Sequence, residues 1–150
     1  MKKKLRRNAF TLIEVLIVVV IMAVLAATII PQFTTSTKDA RDNAAAFNVR
    51  TMQCQVELYK QQHLEKYPPA NDFVNQMTTA TNIDSGTTGE TPYGPYMQEV
   101  PANPYNGSQE VVAVAAEGTA PDAPVGTAGW QYDQSNGRVY ANHAEAFAGG

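Results

Sequence analysis

Few side chains in this sequence could do chemistry. Glu14 stands out because the apolar run from Phe10 to Ile30 has only two other polar residues, Thr11 and Thr28. Thr11-Leu12-Ile13-Glu14 has capping-box spacing, in which a threonine and the glutamate three residues on satisfy each other's orphan N–H groups at a helix start. The positive end of the helix dipole also favours a carboxylate there. This local role explains why the charge is tolerated. It does not explain why a segment of membrane length carries it, since a carboxylate at mid-bilayer costs about 2.5–3.5 kcal/mol on insertion scales. Elsewhere, His63 and His143 have no serine or cysteine nucleophile motif beside them, and Cys54 lies within a helical stretch. No glycine-rich phosphate loop or metal quartet occurs, so the pattern argues against an enzyme. A single cysteine also excludes an intramolecular disulfide, so any small folded part must rely on packing.

The element that positions Glu14 is a helix. Residues 10–30 would span roughly 31 Å at ~1.5 Å per residue, about the thickness of a bilayer core. Before it, Lys2, Lys3, Lys4, Arg6 and Arg7 hold five of the eleven basic residues. These five account for the difference between a formal charge of −3 for the whole chain and −8 without residues 1–9. An acidic remainder argues against nucleic acid as a partner, and the basic leader marks the end that stays in the cytoplasm. A secretory signal cut after Val24-Leu25-Ala26 is one alternative. Against it, the apolar character continues through Ile29 and Ile30, and a carboxylate has no role inside such a signal. An ordinary single-pass anchor is another alternative. A lipoprotein is not, because Cys54 lies far beyond the run.

Pro31 cannot donate a backbone hydrogen bond, so it stops or kinks the helix, and the helical composition that follows favours a kink. Residues 38–65 contain neither Gly nor Pro and read as helix. At roughly 100° per residue, Ala45, Val49, Met52, Val56 and Tyr59 form one apolar stripe, with Phe47, Thr51, Cys54 and Leu58 roughly opposite. A helix packed only on its own domain needs one such stripe. The second calls for neighbouring helices or for a domain that wraps both sides. Cys54 on that stripe reads as a small buried hydrophobe.

Pro68-Pro69 ends the helix, and Asn71-Asp72 could cap a short one through Phe73, Val74 and Met77. Residues 82–108, rich in Gly and Pro, read as an irregular loop. Strands are predicted at 111–116, 130–133 and 138–142, the last two joined around Asn136-Gly137. Trp130, Tyr132 and Tyr140 then alternate as a one-sided antiparallel sheet requires. The tyrosines could bind a ligand at the surface or, more commonly, staple loops and fill a small core.

The basic leader, a small residue and Phe10-Thr11-Leu12-Ile13-Glu14-Val15-Leu16 together resemble the processing site of type IV pilins and of the pseudopilins of type II secretion. Tyr93-Gly94-Pro95-Tyr96-Met97 and Val100-Pro101-Ala102-Asn103-Pro104 look like the Gly-Pro-Tyr and Pro-x-x-Pro signature of major, G-type pseudopilins. The resemblance implies cleavage between Ala9 and Phe10 by a prepilin peptidase and N-methylation of Phe10. Ala9 is a departure, because these families usually have glycine there. After cleavage, the Glu14 carboxylate could pair with the Phe10 amine of a neighbouring subunit, neutralising two charges that neither chain buries well alone.

The implied architecture is α+β: a long N-terminal helix packed on a small three-stranded antiparallel sheet. It divides into a leader (1–9), a transmembrane helix (10–30), an amphipathic continuation kinked at Pro31 (31–67) and a periplasmic head (68–150). The implied function is that of a homo-oligomeric filament subunit in the bacterial inner membrane, N-terminus cytoplasmic, working with an assembly platform and minor pseudopilins in protein export. A type IV pilin or a membrane-anchored binding module is the alternative. No cofactor is expected. Calcium is the one candidate, since related major pseudopilins have calcium-binding loops, but the 117–129 loop has only Glu117 and Asp122 and no acidic run at ligand spacing.

Overall fold

The computed structural model describes residues 10–87 and 89–147. The chain divides into two units between Asp39 and Ala40, a boundary that falls within the residues of one helix. That helix, α1 (Leu12–Gln62), runs through Pro31 without interruption. The threonines after the proline keep their hydroxyls on the helix: Thr34 Oγ1 donates to Ile30 O and Thr35 Oγ1 to Pro31 O, both at 3.2 Å. Back-bonding of this kind hides polar groups that would otherwise compete with the helix. Every described residue up to Arg41 is exposed, and the most apolar 18-residue window has a mean hydropathy of 3.0.

The second unit is the head. Ala45, Met52, Val56 and Tyr59 of α1 are buried, with Val49 half-buried beside them, as the periodicity predicts. They pack with Phe73 and Met77 of α2 (Phe73–Thr78), with Tyr96 and Val100 of the long loop, and with Trp130, Tyr132, Val139 and Ala141 of the sheet. A 3-10 turn, Ala70–Asp72, leads into α2. Asp72 makes no backbone cap there. Its Oδ2 instead accepts from Asn75 Nδ2 at 3.3 Å and Gln76 Nε2 at 2.8 Å. α1 ends three residues before its predicted limit. Leu64 (φ 54°) and Glu65 (φ 61°) turn left-handed, and the Glu65 N–H closes on Lys60 O at 3.1 Å.

The strands are β1 (Val111–Ala113), β2 (Trp130–Asp133) and β3 (Arg138–Ala141), in the order β1-β2-β3. The sheet is mixed, which corrects the antiparallel expectation: β2 and β3 form the predicted hairpin, but β1 runs parallel to β2. The cause is the connection. Residues 114–129 are long enough to carry the chain back along the sheet, and a crossover of a dozen residues or more permits parallel pairing where a tight turn does not. In the hairpin turn Gly137 has φ 73°, and a Cβ there would come within 2.3 Å of the Tyr67 ring.

Register corrects one further expectation. Trp130 pairs with Ala141 and Tyr132 with Val139, so these four share the core face, whereas Tyr140 lies opposite Gln131 on the other face. A short α3 (Ala144–Phe147) follows the sheet.

Candidate functional site

Phe10 is 86% exposed at the start of α1. One turn on, Glu14 closes the capping box: its Oε2 accepts from the Thr11 N–H at 2.7 Å and from Thr11 Oγ1 at 2.8 Å. In return the Glu14 N–H donates to Thr11 Oγ1 at 3.3 Å. Both bonds to the carboxylate fall on one oxygen. Among the described residues Glu14 Oε1 makes none, so the local cap and a second, external partner are compatible. Ala9 and the leader lie outside the described residues.

Further along α1, the stripe of Phe47, Thr51, Cys54 and Leu58 has no cover from the head. Phe47 is 69% and Leu58 41% exposed, and Cys54 is exposed as well. This corrects the expectation of a buried cysteine, because the head wraps only the opposite stripe. Ala40 and Ala44 extend the bare row in the same alternation of four and three residues, and both are exposed. That spacing keeps a seam facing a partner helix. The extension was visible in the sequence, but small alanines stand out less than Phe47 or Leu58.

The remaining candidates serve the fold. His63 is fully buried and stacks on Tyr59 with ring centroids 3.8 Å apart. Its Nδ1 lies 2.8 Å from Tyr59 O and its Nε2 3.0 Å from Thr81 Oγ1. A carbonyl only accepts, so Nδ1 carries a proton and donates to it. His143 stacks on Tyr105, whose hydroxyl donates to Asp42 Oδ1. Burial, together with that carboxylate, pushes the Tyr105 hydroxyl up to about 12. Tyr132 OH donates to Pro68 O at 3.0 Å, Trp130 Nε1 to Pro101 O at 2.8 Å and Tyr96 OH to Gln62 Oε1 at 2.8 Å. These aromatic side chains therefore tie loops to the core. Among the described residues no group of three His, Cys, Asp or Glu side chains could hold a metal.

Comparison with known proteins accounts for nearly the whole chain. Residues 4–30 match the prokaryotic N-terminal methylation motif, and residues 32–135 match the family of type II secretion system protein G. Among similar proteins is the type II secretion system core protein G of Vibrio cholerae, 24% identical over 143 residues, covering 95% of each chain. The protein of the same name from Escherichia coli is 23% identical, covering 81% of this chain and 87% of its own. That from Pseudomonas aeruginosa is also 23% identical, covering 75% and 78%. No solved structure matches at the same stringency.

Proposed function

The chain belongs to the family of type II secretion system protein G, and from that membership we propose how its N-terminal helix builds a filament. It is a structural subunit, a major pseudopilin, anchored in a membrane by the apolar helix. The observation that carries the assembly reading is the bare stripe of α1. One apolar face of the helix is used up inside the head, while Ala40, Ala44, Phe47, Thr51, Cys54 and Leu58 face outward. A second copy of the same helix supplies the cover.

In this reading the peptide bond between Ala9 and Phe10 is hydrolysed on the cytoplasmic face, and the new Phe10 amine is methylated and stays cationic. The head is periplasmic. While the subunit waits in the bilayer, Glu14 is held by its own capping box near the helix start, where the charge costs least. On assembly its second oxygen takes the Phe10 ammonium of a neighbour, a pairing that fixes register more than it adds stability. Pro31 loosens α1 where the helix leaves lipid.

Mass spectrometry of the mature protein tests the premise: a chain beginning at methylated Phe10 is expected, and one beginning at Ala27 overturns it. Maleimide labelling of Cys54 tests the packing, with rapid reaction in detergent-held subunits and protection in filaments. Equal labelling of both would rule out burial of this stripe. Glu14→Ala is expected to abolish filament growth while leaving the subunit in the membrane.

A further inference from the structure

Residues 117–129 form the loop for which the family resemblance raises calcium, and most of the buried oxygens that face it are already engaged. Calcium takes six to eight oxygens, commonly including several carboxylates. Asp133, the carboxylate bonded to the loop at Gly118, is fully committed: Oδ1 accepts from Ser135 N and Ser135 Oγ, and Oδ2 from Gly118 N and Asn136 Nδ2, at 2.7 to 2.9 Å. Glu117 and Asp122 are exposed. The donor set does not fit the ion.

A different device holds the loop. Asn142, just after β3 and buried, uses its whole amide: Oδ1 accepts from Val125 N at 2.7 Å and Gln131 Nε2 at 2.9 Å. Its Nδ2 donates to Val125 O and Ala128 O, both at 2.8 Å. Gln131 of β2, also buried, sends its other N–H to Ala123 O at 2.9 Å. Among the described residues, Gln131 Oε1 is the one buried side-chain polar atom without a partner, and one neutral oxygen is far short of a calcium shell. The carbonyls of Ala123, Val125 and Ala128, the kind of group a loop offers a cation, each already accept an amide N–H. Gly129 completes the closure where the chain passes so near Ser108 that a Cβ would lie 2.0 Å from its carbonyl oxygen.

We propose that in this chain a side-chain amide clamp, Asn142 with Gln131, does the work of a metal ion in fixing the loop between β1 and β2, so that the head folds without calcium. Family membership supplies only the expectation from which this departs.

The test uses the full chain in detergent. Thermal unfolding of the wild type with chelator and with millimolar calcium chloride should coincide, because a ligand that binds the native state alone would raise the midpoint. Asn142→Ala should lower Tm by about 4–8 °C in both buffers and speed proteolytic cutting within residues 117–129. If that variant fails to fold, Gln131→Leu removes two of the clamp's bonds at similar volume and should show the same pattern more weakly. A calcium-induced rise in the wild-type Tm overturns the proposal, as does a loop cut no faster in the variants than in the wild type. Neither readout depends on filaments or secretion, so failure here and failure of the filament reading are separable.

Discussion

The two apolar stripes of α1 are similar in composition and opposite in fate. Met52, Val56 and Tyr59 are wholly buried, whereas Phe47 a turn away is 69% exposed. The difference lies in what the rest of the chain brings to each. β2, β3 and α2 present Trp130, Tyr132, Val139, Phe73 and Met77 to the first stripe, whereas Phe47, Thr51, Cys54 and Leu58 of the second stay exposed. An apolar stripe thus records that a face is destined for burial, not which surface buries it. If a second copy covers it, as proposed above, the bare stripe is the functional one.

Substitutions can break this contrast, and the largest effect is expected on the covered side. Met52→Ala should cost the head about 2–5 kcal/mol through lost burial and a residual cavity, read by chemical unfolding in detergent. Phe47→Asp should leave that stability within about 0.5 kcal/mol, as surface changes do, yet cut filament yield at least tenfold in sheared fractions. Equal destabilisation by both would mean that the stripes do not differ. Tyr132→Phe sharpens the account of the covered side. It leaves the Pro68 carbonyl without its donor and should cost about 1–3 kcal/mol.

The smallest effect is electrostatic. Burial pushes the Asp133 carboxyl up, but bonds from Ser135, Gly118 and Asn136 outweigh it and hold the group below the usual carboxylate range. A lowered folded pKa gives stability that is complete above the unfolded value, about 3.9, and is lost as pH falls through the folded one. Acid titration of the head should therefore show a loss beginning near pH 4 that Asp133→Asn flattens. A variant with the same acid profile as the wild type would remove Asp133 from the account.

Much of this was legible in the residues. The two apolar stripes of α1, the β2–β3 hairpin at Asn136-Gly137 and the capping box of Thr11 and Glu14 each follow from spacing within a few residues, where local geometry decides. Three readings failed where distant chain decides. Cys54 was expected inside and lies outside. β1 was expected antiparallel and is parallel. Tyr140 was expected beside Trp130 and faces away, because the pairing of Gln131 with Tyr140 depends on the length of the turn. The amide clamp gave no signal at all, since Gln131 and Asn142 are ordinary polar residues until the loop between β1 and β2 folds over them.

By itself the sequence determined the apolar helix, the place of its one carboxylate and the two faces of its second half, because these arise from periodicity and from the chemistry of neighbouring residues along one chain. Tertiary structure alone decided which face stays bare, how β1 runs and what holds the 117–129 loop. Those outcomes depend on which surfaces meet across the fold, and only the packed chain brings them together.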